Sequence, residues 1–149
     1  MLDRRAVIGS GLTFAALTGA VAAAGPAIAA PRKRGDGMMT LDECVDSCIA
    51  SHRMCLETAR YCTEQGAPAH IEATHIALLL DCAELCQTTA NSMRRRSPQH
   101  ALLCDACARM CEACARDCAK ISGDARMQAC AQTCRDCAAS CKEMASMGM

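Results

Sequence analysis

Cysteine recurs at 104, 107, 111, 114 and 118, and again at 130, 134, 137 and 141, in alternating steps of three and four residues. Such steps place side chains on one stripe of a helix, the stripe where a soluble bundle carries Leu, Ile or Val. Cys44, Cys48, Cys55 and Cys62 extend the pattern upstream, followed by Cys82 and Cys86. Side chains three or four apart on a helix have β-carbons about 5 to 6 Å apart. Two thiolates at that separation can grip one ion, and a neighbouring helix can add a third. Cys44/Cys48, Cys82/Cys86, Cys107/Cys111, Cys114/Cys118, Cys130/Cys134 and Cys137/Cys141 therefore read as repeated two-sulfur units. Cu(I), a soft ion, is well served by two or three sulfurs, whereas structural zinc closes a tetrahedron of four. The spacing favours Cu(I), with zinc as the other soft-metal reading.

Charge balance points the same way. An isolated buried thiolate costs more than the marginal stability of a domain. One monovalent ion per thiolate cancels that charge along a whole bundle axis. The expected stoichiometry is roughly one Cu(I) per cysteine, an array and not a single site.

Two other uses of cysteine compete. Disulfides suit an exported chain, but fifteen is an odd count, and pairs three or four apart on a helix aim wrongly for an unstrained bridge. Cross-helix bridges stay open. Cys104, Cys107, Cys111 and Cys114 are superficially like a ferredoxin run, yet ferredoxin cysteines come from loops that wrap a cluster, and these nine continue at helical period.

The remaining composition excludes more than it suggests. Formal charge is zero, so no basic field recruits nucleic acid. One Phe, one Tyr and no Trp leave the core without large aromatic groups. No Ser/His/Asp pattern, phosphate-cradling Gly loop or apolar carboxylate pair is present, and the chain is read as a non-enzyme.

Four helices must position the thiols. Thr40 with Glu43 forms a capping box that opens helix 1, which stops at Gly66. Pro68 suits the first turn of helix 2, whose face carries His75, Leu79, Cys82, Cys86 and Met93 before Arg94, Arg95 and Arg96, a basic C-terminal cap. Ser97-Pro98 opens helix 3, which ends near Gly123; Ser122 or Asp124 caps helix 4, with a seam of Met127, Cys130, Cys134, Cys137, Cys141 and Met144. Short connections make neighbours antiparallel, giving an all-α, up-down-up-down four-helix bundle over residues 40–146 with a cysteine-lined core. On helix 2, Ile76, Leu78, Leu80 and Leu85 lie partly off the cysteine face, which suits flanking bundle packing or a subunit interface. His52, His70 and His100 are expected to face solvent or cap termini, and Tyr61 to pack or face solvent.

Ahead of the bundle, Arg4 and Arg5 precede an Ala- and Gly-rich run from Ala6 to Ile28, and Ala27, Ile28 and Ala29 form a small-x-small cleavage signature. This resembles a twin-arginine signal peptide over residues 1–29, although Asp3, Val7 and Gly9 depart from its usual flanks. Export to the periplasm is the expectation, with no membrane partner for the mature chain. An uncleaved anchor is the alternative, weakened by Gly9, Gly11, Gly19, Gly25 and Pro26. Residues 30–39 read as a flexible lead-in.

The run C-D-A-C-A-R-M-C-E-A-C-A-R-D-C from Cys104 to Cys118, with C-A-Q-T-C-R-D-C-A-A-S-C from Cys130 to Cys141, resembles the bacterial copper storage proteins (Csp family) from about Leu41 to Met144. The resemblance implies four-helix bundles that assemble as tetramers, hold many Cu(I) ions along the core and store or buffer them, here in the exported branch. Position 75, one heptad before Cys82, is His where the pattern would place Cys, and the loop between helices 3 and 4 lacks the His cluster of cytosolic members.

In the antiparallel arrangement His75, Cys62, Cys118, Met127 and Cys130 fall near one end of the bundle. A His/Met/Cys mouth binds Cu(I) more weakly than a thiolate interior, which suits entry and exit. His75 as a hydrogen-bonded core residue and Met127 as a gap-filler are the plainer readings. A transfer protein would need one exposed high-affinity site; a store uses a distributed array, which is what the cysteines form.

Overall fold

The computed structural model describes residues 38–147. The signal-like segment 1–29 and most of the lead-in 30–39 lie outside the described residues. Four helices follow in order: α1 Leu41–Gln65, α2 Ala73–Arg94, α3 His100–Cys118 and α4 Ala125–Met147. Each packs against its chain neighbours, and α4 closes the ring against α1, while across the diagonal α1 meets α3 through side chains, Ser51 on Cys111 and Cys55 on Cys114. The result is the expected antiparallel four-helix bundle.

Local signals set most of the ends. Thr40 Oγ1 accepts the Glu43 N–H at 3.2 Å while the Glu43 carboxylate accepts the Thr40 N–H at 2.9 Å, the reciprocal capping box. Gly66 closes α1 at φ 64°, its N–H bonded to the Cys62 carbonyl, a conformation that suits glycine. At the start of α4, Asp124 Oδ1 accepts the N–H groups of Arg126 and Met127 at 2.8 and 3.0 Å.

Three boundaries differ from expectation, the first at the start of α3: its N-cap is Gln99, and Ser97 instead accepts the Gln99 N–H at 3.2 Å in the turn before the helix. Helix 2 begins at Ala73, not in the turn at Pro68, because Ala67 to Ile71 forms a separate turn and Glu72 supplies the cap, accepting the His75 N–H at 2.9 Å. Helix 3 runs from His100 to Cys118 and stops short of Gly123. Its end tightens into two turns that bond Lys120 to Asp117 and Ile121 to Cys118 before Gly123 reverses the chain at φ 79°. Arg94 and Arg95 sit at the C-terminus of α2, as expected for a basic cap.

Rows of small residues flank the cysteine seams at heptad spacing: Ala83 and Ala90 on α2, Ala108 and Ala115 on α3, Ala131 and Ala138 on α4, all buried. Alanine there lets neighbouring backbones approach, so that short thiols reach the axis from all four sides. On α1 the same row is Val45, His52 and Ala59. This placement explains why His52 is half-buried instead of solvent-facing: its Nδ1 lies 2.9 Å from the Ala83 carbonyl across the α1–α2 contact. Ile76, Leu78 and Leu85 pack partly against the core, while Leu80 is exposed.

Candidate metal centre

All fifteen cysteines point inward; none is more than 1% exposed, and none is in a disulfide. The shortest sulfur–sulfur separations are 3.4 Å, Cys48 to Cys141 and Cys86 to Cys111. That is far beyond the roughly 2.05 Å of a covalent bridge, but it is the spacing of sulfurs around a common ion.

The sulfurs gather into groups whose members all lie within 4.8 Å of one another. Three are quartets: Cys48, Cys107, Cys137 and Cys141; Cys55, Cys114, Cys130 and Cys134; Cys86, Cys107, Cys111 and Cys137. A trio of Cys44, Cys104 and Cys141 lies toward the end where α1 begins. Each quartet joins one pair from a single helix, 137/141, 130/134 or 107/111, to two thiols from other helices. The expected pairs Cys44/Cys48, Cys82/Cys86 and Cys114/Cys118 do not fall within one group. These thiols also have partners across the bundle, such as Cys111 for Cys82 at 3.7 Å, because seam residues converge on the axis.

A four-sulfur group alone would suit a closed zinc tetrahedron, with sulfurs about 2.3 Å from the metal. Sharing argues against isolated tetrahedra here. Cys107, Cys137 and Cys141 each belong to two groups, so these thiolates would bridge successive ions. Bridging sulfurs and low charge per ion fit a chain of monovalent soft cations.

Protons are unevenly held in this array. Cys107 accepts from Cys111, Cys137, Cys141 and Cys48 and is pushed far down, while Cys111, hydrogen-bonded to Cys107, Cys137, Cys82 and Cys86, is pushed far up. Burial opposes ionisation at both. Cys62, outside the quartets, is pushed up to about 11, chiefly by burial and then by the charge of Asp124.

One end of the bundle differs in chemistry. Cys62 Sγ lies 3.6 Å from His75 Nε2 and 3.8 Å from Met127 Sδ. His75 and Met127 are 4% and 0% exposed. His75 Nδ1 sits 2.6 Å from Asp117 Oδ2, and Asp117 also receives Lys120 at 2.7 Å. Burial alone would raise Asp117, but the bonds from Lys120 and His75 hold it below the usual carboxylate range. An ionised Asp117 only accepts, so Nδ1 carries a proton, and in the neutral ring Nε2 is the nitrogen left to face Cys62 with a lone pair. A surface depression of about 300 Å³, lined in part by Glu72, His75, Asp117 and Lys120, opens over this pair. Cys118 and Cys130 are hydrogen-bonded to each other, with Cys118 at the last residue of α3 and Cys130 in the second turn of α4, near the same end.

Beside it, Asp124 Oδ2 accepts from Tyr61 Oη at 2.8 Å and lies 2.9 Å from His70 Nε2. His70 thus ties the α1–α2 turn to the start of α4 and is not solvent-facing. At the opposite end Met93 Sδ lies 3.8 Å from Cys104 Sγ. Asp117 and His70 carry no local sequence signal of these roles, since their partners lie 42 and 54 positions away.

Among known proteins, the copper storage protein (Csp) family profile matches residues 38–146. No curated protein sequence matches the chain. A crystal structure of a Nitrosospira multiformis protein is similar at 42% identity and a TM-score of 0.67, covering 72% of this chain and 95% of that one. The Cu(I)-bound copper storage protein BsCsp3 is 33% identical with a TM-score of 0.66, covering 70% of this chain and 96% of its own. Apo copper storage protein 3 from Bacillus subtilis is 33% identical with a TM-score of 0.65, covering 71% and 99%. With the profile spanning the whole bundle and these relatives superposing on it, the chain belongs to the Csp family of copper storage proteins.

Proposed function

We propose that the bundle stores and buffers many Cu(I) ions, held by Cys44, Cys48, Cys55, Cys62, Cys82, Cys86, Cys104, Cys107, Cys111, Cys114, Cys118, Cys130, Cys134, Cys137 and Cys141. The observation that carries this reading is the set of fifteen buried, unbridged thiols, twelve of them in groups close enough to share an ion, with three of the four groups overlapping. The helices act as a rigid sleeve that holds sulfurs near one another before metal arrives, so little ordering is left for binding to drive. Each ion displaces thiol protons and neutralises a thiolate, which removes the obstacle to burying so many anions.

His75 and Met127 join Cys62 as a weaker-binding entry and exit group at one end. Nitrogen and thioether donors release Cu(I) more readily than a thiolate array, and the depression over His75 leads there. Membership of the Csp family supports storage without catalysis. Among the described residues no helix is long and apolar enough to cross a membrane. The Arg4-Arg5 leader supports periplasmic export by the twin-arginine route, and exposed Leu80 on α2 supports self-association.

Native mass spectrometry after anaerobic Cu(I) loading tests the reading. Storage yields a distribution reaching many coppers per chain. A single copper per chain would favour transfer to a partner, and no copper with oxidised thiols would favour a disulfide-stapled domain.

A further inference from the structure

The inner stripe of α1 reads Cys44, Cys48, Ser51, Cys55, Thr58, Cys62 in steps of four and three. Two of its positions therefore carry a hydroxyl where a thiol would continue the pattern, and both are 0% exposed. A buried Ser or Thr within a helix ordinarily returns its hydroxyl to the carbonyl four residues back. Thr89 and Ser140 do so, donating to the carbonyls of Leu85 and Asp136 at 2.8 and 3.0 Å. Ser51 and Thr58 do not. Ser51 Oγ has only sulfurs beside it, Cys111 Sγ at 3.8 Å from α3 and Cys134 Sγ at 3.7 Å from α4. Thr58 Oγ1 is buried with no partner among the described residues. A buried polar atom without a partner calls for a counterpart.

Metal loading supplies one. In the empty chain a thiol S–H can point at a hydroxyl oxygen, and either group can donate. When Cu(I) binds, the S–H bond breaks, its proton leaves to solvent and an S–Cu bond forms, with no change in oxidation state. The sulfur then only accepts, and a hydroxyl on the same stripe becomes its matched donor.

We infer that Ser51 and Thr58 are hydrogen-bond donors to the metal-bound thiolates, positioning residues that act on copper through sulfur. Bonds to a coordinating atom orient it and tune its hold on the metal. Ser51 touches Cys111 of one quartet and Cys134 of another, two groups with no cysteine in common. Its hydroxyl lies between them, as does the Cys82 thiol, which is hydrogen-bonded to Cys111 and to Cys134. Along the α1 stripe Thr58 stands between Cys55 of the second quartet and Cys62 of the entry group. The inference rests on the storage reading above.

Melting of the full chain, empty and Cu(I)-loaded, under anaerobic reducing conditions tests it with Thr58→Val and Ser51→Ala. Empty T58V should melt a few degrees above the empty parent, because a stranded hydroxyl has been replaced by a methyl of similar shape. Once loaded, that advantage should vanish or reverse. S51A should bind as many equivalents as the parent but gain less in melting temperature on loading. For either residue, equal shifts in the empty and loaded states would overturn the inference and leave a space-filling role. A parent chain that takes up no array of copper, seen in the same control, would instead overturn the storage reading.

Discussion

His75 Nε2 lies 3.6 Å from Cys62 Sγ, while the other ring nitrogen, Nδ1, is held 2.6 Å from Asp117. The carboxylate fixes the Nδ1 proton and the ring orientation, so that Nε2 is the nitrogen turned to the sulfur. If this pair passes copper in and out, His75→Ala should slow both loading and chelator-driven release, with total capacity nearly unchanged. Asp117→Asn should slow them by about tenfold or more, as expected for loss of an outer-shell partner. Stopped-flow exchange with a chromophoric Cu(I) chelator reads both; unchanged rates in H75A and Met127→Ala would remove the entry role.

Shared sulfurs give a second prediction. Cys137 belongs to two groups and Cys104 to one. Cys137→Ser should therefore lose about two equivalents of Cu(I) and Cys104→Ser about one, because a bridging thiolate holds two ions. Equal losses, read by copper analysis of the loaded variants, would show that the groups fill independently.

Much of this was legible in the residue order. The steps of three and four between Cys104 and Cys141 fix the seams of α3 and α4 because a helix repeats every 3.6 residues, and Thr40/Glu43, Gly66 and Asp124 mark their own helix ends. The stripe also exposes Ser51 and Thr58, whose spacing matches the cysteines around them. What stayed hidden depends on contacts between helices. Which thiols share an ion is set by how far each helix slides along its neighbour, and single-chain spacing carries no measure of that. The same holds for Asp117 beside His75, and for His70 and Tyr61 meeting on Asp124. Pro68 misled because a proline suits a turn as well as a first helical turn, and the deciding cap was Glu72.

Asp124 should make the fold acid-sensitive. Burial alone would raise its carboxyl, but bonds from the Met127 N–H, His70, Tyr61 and the Arg126 N–H hold it at about 2. A depressed carboxyl contributes stability that is fully present above its unfolded value near 4 and is lost as pH falls through about 2. Asp124→Asn should cost on the order of 1 kcal/mol at neutral pH, allowing for partial solvent screening. Chemical denaturation of the empty chain should show that difference shrinking between pH 4 and pH 2, which a purely steric effect of the substitution would not do.

Gly66 isolates a backbone effect from packing. Its φ is 64°, and a β-carbon there would meet nothing within 4 Å. Gly66→Ala should therefore cost about 1 kcal/mol from conformation alone, lowering the melting temperature without altering copper capacity. An unchanged melting temperature would show that α1 does not need this left-handed stop.

Anaerobic titration of the reduced chain with Cu(I) against a competing chelator, with thiols counted before and after, bears most directly on the thiol array as a store. The account predicts uptake of roughly one Cu(I) per cysteine, with all fifteen thiols titratable beforehand and protected afterwards. Saturation at about one equivalent, or thiols already paired in the freshly isolated protein, would contradict it.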